Sequence, residues 1–303
     1  MPEMTETGNL EEPDQEPANR GPVVLVLLDG WGVAPPGEGN AVTASDMPVI
    51  SRLVKEYPVA VLETGLRDWN KRYLLIGSGI NGDQEVSTPV SLSSAVSRAG
   101  RRQLKIGDSE RYAALTYFFN GLTEDKSPGE SWQIISEKSA RKDKVTSDFR
   151  SVLKAGLQAI SSAEAPDLIV LSFSYLDLVS LVGASKPEIV AGAVRMVDKA
   201  VKAIHSAVVN KNGVLLISSA GGNAEQLVNL RTDEADNGLT ANPVALIVVG
   251  DDYKGLSIGS KDALDGDLSV LAPIGGLTDI APTILSLLGI PIPPEMTGRN
   301  LLN

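Results

Sequence analysis

Cysteine is absent from this chain, and histidine occurs once, at His205. The first absence excludes disulfides, thiolate metal sites and cysteine nucleophiles together, without fixing the redox compartment. The second constrains metal chemistry. Zinc and manganese usually recruit imidazole, and two dications held a few ångströms apart need several anionic or imidazole ligands. His205 sits between Ile204 and Ser206, far in sequence from any strand end, and reads as a helix-surface or boundary residue.

Long apolar runs are also missing. No stretch approaches the roughly 20 consecutive apolar residues of a membrane span, and the N-terminus lacks the basic-then-apolar order of a secretory signal. The expectation is a soluble, cytoplasmic protein without membrane contact. Basic charge is in deficit, with 27 Lys and Arg against 38 Asp and Glu, a net charge of -11. That balance argues against a nonspecific grip on nucleic acid or anionic lipid, which needs a concentrated basic face.

What is present is a chain of 303 residues with 43% hydrophobic content, enough for a large core. Residues 1–21 are the exception: polar, Pro-containing and aperiodic. Glu3, Glu6, Glu11, Glu12, Asp14 and Glu16 face only Arg20 there. Such a segment buries too little apolar surface to offset its ordering entropy, and we read it as a disordered acidic tail.

From Pro22 onward short apolar runs alternate with helix-like segments, the pattern of an α/β fold with a mostly parallel sheet and helices on both faces. Strands are predicted at Val23–Leu28, Val59–Glu63, Gln103–Ile106, Leu168–Ser172, Val214–Ser218 and Val244–Val249. Helices are predicted at Met47–Glu56, Leu92–Ala99, Glu110–Phe118, Ser147–Ser161, Pro187–Val209 and Asp279–Leu288. Thr43, Ser147 and Ser185 are candidate helix starts, and Pro187 suits a first turn. Residues 64–90, with scattered glycines, read as an irregular connector, and 229–238 and 250–276 as loops. The whole of 22–303 is expected to form one domain.

Several residues fall where open α/β proteins build their sites, at strand carboxyl ends. Asp29 follows the first strand and precedes Gly-Trp-Gly; it could ligate a cation or cap a turn. Asp177 follows LIVLSFS among Leu176, Leu178, Val179, Leu181 and Val182, so its charge needs a partner, water or a raised pKa. Asn223 and Glu225 follow a Gly221-Gly222 turn and could bind a cation or accept main-chain hydrogen bonds. Arg101, Arg102, Lys105 and Arg111 form a basic run that is expected to be mostly solvated; Arg111 is the one placed to clamp a phosphate.

The order and spacing of VVLVLLDGWG, PPGEGNAVT, QLKIGDSERYAALTYFFNG, the PGE at Pro128–Glu130, GGNAEQ, TANPV and LTDIAPTILSLLGIPIPPEMTGRNLL resemble the cofactor-independent phosphoglycerate mutases of the alkaline phosphatase superfamily. The resemblance implies an alkaline-phosphatase-like core, two manganese ions at the strand ends, and a serine that takes and returns the phosphoryl group. It also implies a second domain, inserted in the core, that holds the glycerate.

By that resemblance Asp29 and Asp177 match two aspartate ligands. The family's histidine four residues after the second aspartate is Leu181 here. Its Asp-His before Gly-Asn-Ala-Glu is Ala220 and Gly221, its histidine before Asn-Pro is Leu239, and its substrate-side lysine is Arg111. The nucleophile loop Gly-Asn-Ser-Glu-Val-Gly-His does not occur, and 64–90 stands in place of both that loop and the inserted domain. Ser78 and Ser87 lie in this region without the flanking pattern, and a serine lacking a metal or base is a poor nucleophile. Two dications bring four positive charges, against at most three negative ones from Asp29, Asp177 and Glu225.

The expectation is therefore a degenerate phosphoglycerate-mutase-like pseudoenzyme that binds or scaffolds an unknown protein partner, with no resident cofactor. Asp29 and Asp177 would be vestigial metal positions, with manganese or magnesium called for only if they are occupied. The alternatives are a residual one-metal phosphomutase or phosphohydrolase, and a metal-free sensor of a small phosphorylated ligand using Arg111 and the Gly221 turn. Replacing ligands by leucine is expected to strengthen the core, so that Leu181→His destabilises it.

Overall fold

The computed structural model describes residues 21–65, 67–81, 90–136, 141–229, 231–232, 234–236, 238–259 and 266–303, without the side chains of 141–143. The acidic tail up to residue 20 and Ser87 lie outside the described residues. In chain order the elements are β1 (Val23–Leu28), α1 (Pro48–Glu56), β2 (Val59–Glu63), α2 (Trp69–Ser78), α3 (Leu92–Arg98), β3 (Gln103–Asp108), β4 (Glu130–Ile135), α4 (Arg141–Ser161), β5 (Leu168–Phe173), α5 (Tyr175–Gly183), α6 (Pro187–Val209), β6 (Val214–Ser218), β7 (Val244–Val249), β8 (Gly275–Gly276) and α7 (Ile280–Leu287).

The strands form one sheet in the order β4-β3-β5-β1-β6-β7-β2-β8. All pairs are parallel except those made by β7, which runs antiparallel to both β6 and β2. All six residues of β1 are buried, and the period-two alternation splits them between two cores. Val24, Val26 and Leu28 pack with α1, α4, α5 and α6, whereas Val23, Leu25 and Leu27 pack with α2, α3 and α7. Helices thus cover both faces, as the sequence pattern implies. Four parallel neighbours, β3, β5, β1 and β6, bring their carboxyl ends to one edge.

The structure departs from the sequence expectations in local ways. The segment 64–90 is not simply irregular: it contains α2. Asp68 caps that helix by accepting from the backbone N–H groups of Asn70 and Lys71, and Gly79 ends it in the left-handed region. Glu110–Phe118 is not an α-helix but a 3-10 turn at Ser109–Arg111 followed by a π-helical turn at Ala114–Phe118. Strand β4 and helix α5 were not anticipated. Thr43 and Ser185 do not cap helices, because Met47 and Lys186 occupy those positions, and Ser147 lies inside α4.

The basic run is not uniformly solvated. Arg101 and Arg102 pair at the surface with Asp167 and Glu164, but Lys105 and Arg111 are buried. Leu181 also corrects an expectation: it is 39% exposed on α5, so its hydrocarbon does little for the core. Among the described residues no helix is long and apolar enough to cross a membrane.

Candidate functional site at the carboxyl edge of the sheet

Asp29 ends β1 in the middle of the sheet, and its carboxylate is fully buried. The following Gly30 has φ of 97°, and a Cβ there would lie 2.5 Å from the backbone nitrogen of Asp177. Only glycine meets both demands. The close approach lets the Asp177 N–H donate to the Asp29 carbonyl at 2.9 Å, tying the first turn of α5 to the end of β1. Both carboxylates that the sequence singles out therefore reach one place.

Arg111 joins them. Its Nε donates to Asp29 Oδ2 at 2.7 Å, its Nη2 donates to Asp177 Oδ2 at 2.5 Å, and its guanidinium lies 4.4 Å from the centre of the Trp69 ring. The turn that delivers it is built locally. Asp108, at the end of β3, accepts from the Glu110 N–H with one oxygen and from the Ser174 N–H with the other, joining the β3 and β5 ends.

Both carboxylates have further donors. Tyr73 donates its hydroxyl to Asp29 Oδ2 at 2.9 Å and lies 2.6 Å from Ser172 Oγ. The Ala220 N–H reaches Asp29 Oδ1 at 3.3 Å, and Asn223 Nδ2 donates to Asp177 Oδ1 at 2.9 Å. One guanidinium against two buried carboxylates leaves a net negative charge. Desolvation, and secondarily the neighbouring Asp177, raises the pKa of Asp29 despite the opposing pull of Arg111. The two carboxylates hold Arg111 charged, above its ordinary value, despite its desolvation. Burial together with the Asp29 charge keeps Tyr73 protonated, well above the usual phenol range.

A second buried arginine stands beside the first group. Arg72 Nη2 donates to the Thr240 carbonyl at 2.8 Å and Nη1 to the Ala220 carbonyl at 3.3 Å. Burial lowers its pKa to about 10, against the upward pull of Asp29 and Glu225. Glu225 lies in a cradle where a Cβ on Gly32 or Gly222 would come within 2.4 Å of its carboxylate carbon or oxygens. Its Oε1 accepts from Thr240 Oγ1 at 2.5 Å and Asn242 Nδ2 at 3.0 Å, while Oε2 has no hydrogen-bond partner among the described residues. Desolvation raises its pKa.

The other sequence candidates fall elsewhere. Ser78 is buried at the end of α2, where its Oγ accepts from the Ile80 N–H. His205 is half-buried on α6, and its pKa is lowered by burial and then by Arg52. Of the positions matched to lost ligands, Ala220 and Gly221 are buried, Leu239 is partly buried and Leu181 is exposed. Sequence reasoning missed Arg72, Tyr73 and Trp69, all on α2. The signal was present in the Asp68 cap and the Gly79 stop, eleven residues apart in number.

These residues do not fit a two-metal centre. Each oxygen of Asp29 and Asp177 already faces an N–H or O–H donor, Ala220 and Gly221 bring no side-chain ligand, and Leu181 and Leu239 offer hydrocarbon. Among the described residues no group of three or more His, Cys, Asp or Glu side chains is placed to hold a metal ion.

The sheet and the carboxylate edge define an alkaline-phosphatase-like protein, and residues 21–292 match the Metalloenzyme superfamily, to which the chain belongs. Within it the chain is similar to 2,3-bisphosphoglycerate-independent phosphoglycerate mutases. The enzyme of Syntrophotalea carbinolica is 36% identical over 220 residues, which is 71% of this chain and 39% of the enzyme. The chain spans about two fifths of the length of the curated relatives it matches. In fold it is similar to phosphoglycerate mutase of Leishmania mexicana, with a TM-score of 0.57 and 16% identity over 69% of this chain and 39% of that one. It is likewise similar to the phosphonate monoester hydrolase of Agrobacterium radiobacter, with a TM-score of 0.61 and 13% identity over 93% and 76% of the two chains.

Proposed function

We propose that this chain is a non-catalytic, phosphoglycerate-mutase-like member of its superfamily that acts by binding or scaffolding a protein partner. The observation that carries the reading is the guanidinium of Arg111 bonded to both Asp29 and Asp177. A metal site needs carboxylate lone pairs free at about 2.0–2.2 Å, and here those lone pairs face N–H donors. Ser172, at the edge, is held by Tyr73, and Ser78, in the region where the resemblance puts the nucleophile, is turned to the backbone. Fold is shared widely among unrelated activities, so the activity of the longer relatives does not transfer by similarity.

The same geometry disfavours the anion-sensor reading, because the charge of Arg111 is already outweighed by two carboxylates. The test is a phosphoglycerate mutase and phosphatase assay on the purified full chain with added manganese or magnesium. Turnover above the buffer rate that disappears in Asp29→Ala would end the proposal; a rate equal to buffer and to Asp29→Ala supports it.

A further inference from the structure

Two positively charged side chains occupy the edge where the resemblance puts two metal ions, and each is held by what remains of the site. Arg111 spans the two retained aspartates. Arg72 fills the space of a lost ligand: an ideal Cβ on Gly221, the position matched to a histidine, would lie 2.0 Å from Arg72 Nη1. Both guanidinium groups are buried and both feel the Asp29 charge.

An isolated buried carboxylate is costly in a protein interior, and a buried aspartate pair without a cation more so. A guanidinium meets that demand differently from a dication. It carries one charge over a planar fork of N–H donors, accepts no ligand lone pair into a coordination shell, and does not depend on metal supply. It also arrives covalently attached, so each carboxylate gains a cationic partner as the chain folds. A retained Asp29 and Asp177 then need no catalytic explanation, because each is a counter-ion to Arg111.

We propose that Arg111 and Arg72 are resident cations that replace the two metal ions of the ancestral site, with Arg111 blocking a latent divalent-cation position between Asp29 and Asp177. The proposal rests on the reading of the site as non-catalytic and adds to it a cause: the metal is excluded by a tethered competitor. Removing the side chain of Arg111 should leave two carboxylates, Asn223 and water facing a space that a small hard cation or free guanidinium can enter.

The experiment compares thermal unfolding and metal titration for the wild-type full chain, Arg111→Met and Arg111→Lys. Met keeps an apolar stem against Trp69 without the charge, and Lys keeps the charge without the fork. The wild type should bind no manganese by calorimetry and keep its melting temperature in manganese or EDTA. Arg111→Met should melt lower and then gain about 3–6 °C from manganese, the shift expected for a ligand at ten times its Kd. Millimolar guanidinium should also raise its melting temperature while leaving the wild type unchanged. Arg111→Lys should fall between the two and respond less to metal; if Arg111→Met does not fold, a metal response in Arg111→Lys that the wild type lacks carries the same meaning.

Stoichiometric manganese binding by the wild type with phosphoglycerate turnover would sink both the inference and the proposed function. Manganese binding without turnover would sink the inference alone. So would an inactive, metal-free wild type whose Arg111 variants ignore both manganese and guanidinium.

Discussion

Arg72 and Gly221 occupy one another's space: Nη1 of the arginine lies 2.0 Å from where a Cβ on Gly221 would stand. Any side chain at 221 therefore requires Arg72 to leave. Arg72 is fully buried and donates to the carbonyls of Ala220 and Thr240, so it has little room to move. Gly221→Ala should destabilise the protein by about 1–3 kcal/mol through overpacking. In an Arg72→Ala background the same substitution should cost much less. Urea denaturation of the four proteins measures this, and an additive cycle would show that the two residues do not exclude each other.

Glu225 makes stability depend on pH. Its folded pKa is raised above 4.5 by burial, so the folded state binds a proton more tightly than the unfolded chain. Its contribution to stability is full below the unfolded value and is lost as pH rises through the folded one. The unfolding free energy of the wild type, measured relative to Glu225→Gln, should fall as pH rises above 4.5. A constant difference across that range would mean that Glu225 has its unfolded pKa in the native protein.

Lys105 and Glu130 form a buried pair at 2.7 Å between β3 and β4, with Lys105 Nζ also donating to Asn120 at 2.9 Å. Glu130→Gln strands a buried ammonium and should cost about 3–5 kcal/mol, whereas Lys105→Met with Glu130→Leu should cost less than that single change. Burial lowers Lys105 to about 8 from 10.5, against the opposing pull of Glu130. Between those values the unfolded lysine keeps a proton that the folded one releases. Lys105 thus adds stability as pH rises through about 8 and loses it on the way down, a rise that Lys105→Met should lack in chemical denaturation.

Leu181→His tests the idea that lost ligands became core. At 39% exposure, the leucine has only part of its surface to lose. The substitution should change stability by no more than about 0.5 kcal/mol, the usual range for surface changes. A loss above about 2 kcal/mol would restore the view that Leu181 supports the interior.

The sequence by itself determined most strands of the sheet. Continuous Val, Leu and Ile runs leave a buried strand as the economical solution, and β1, β2, β6 and β7 have the predicted bounds, although the antiparallel direction of β7 was not legible in them. It also determined that Asp29 and Asp177 sit beyond strand ends, because strand direction puts the residue after each run at the carboxyl edge. Helix α2 was legible in principle from Asp68 and Gly79, but Gly77 and its polar residues give little amphipathic contrast. Its packing against the π-helical turn supplies what local pattern does not: a Cβ on Gly77 would come 1.9 Å from the Phe119 carbonyl oxygen.

Only the tertiary structure decided which cation the carboxylates face. Arg111 lies 82 residues from Asp29 and 66 from Asp177, and no local preference fixes a contact across such separations. In sequence Arg111 belongs to a basic run of which Arg101 and Arg102 are at the surface while Lys105 is buried against Glu130. The fold separates them because Asp108 turns the chain inward at the end of β3, where two desolvated carboxylates reward a buried positive charge. Arg72 was hidden for the same reason: its place opposite Gly221 exists only once β6 and α2 have packed on the same sheet edge.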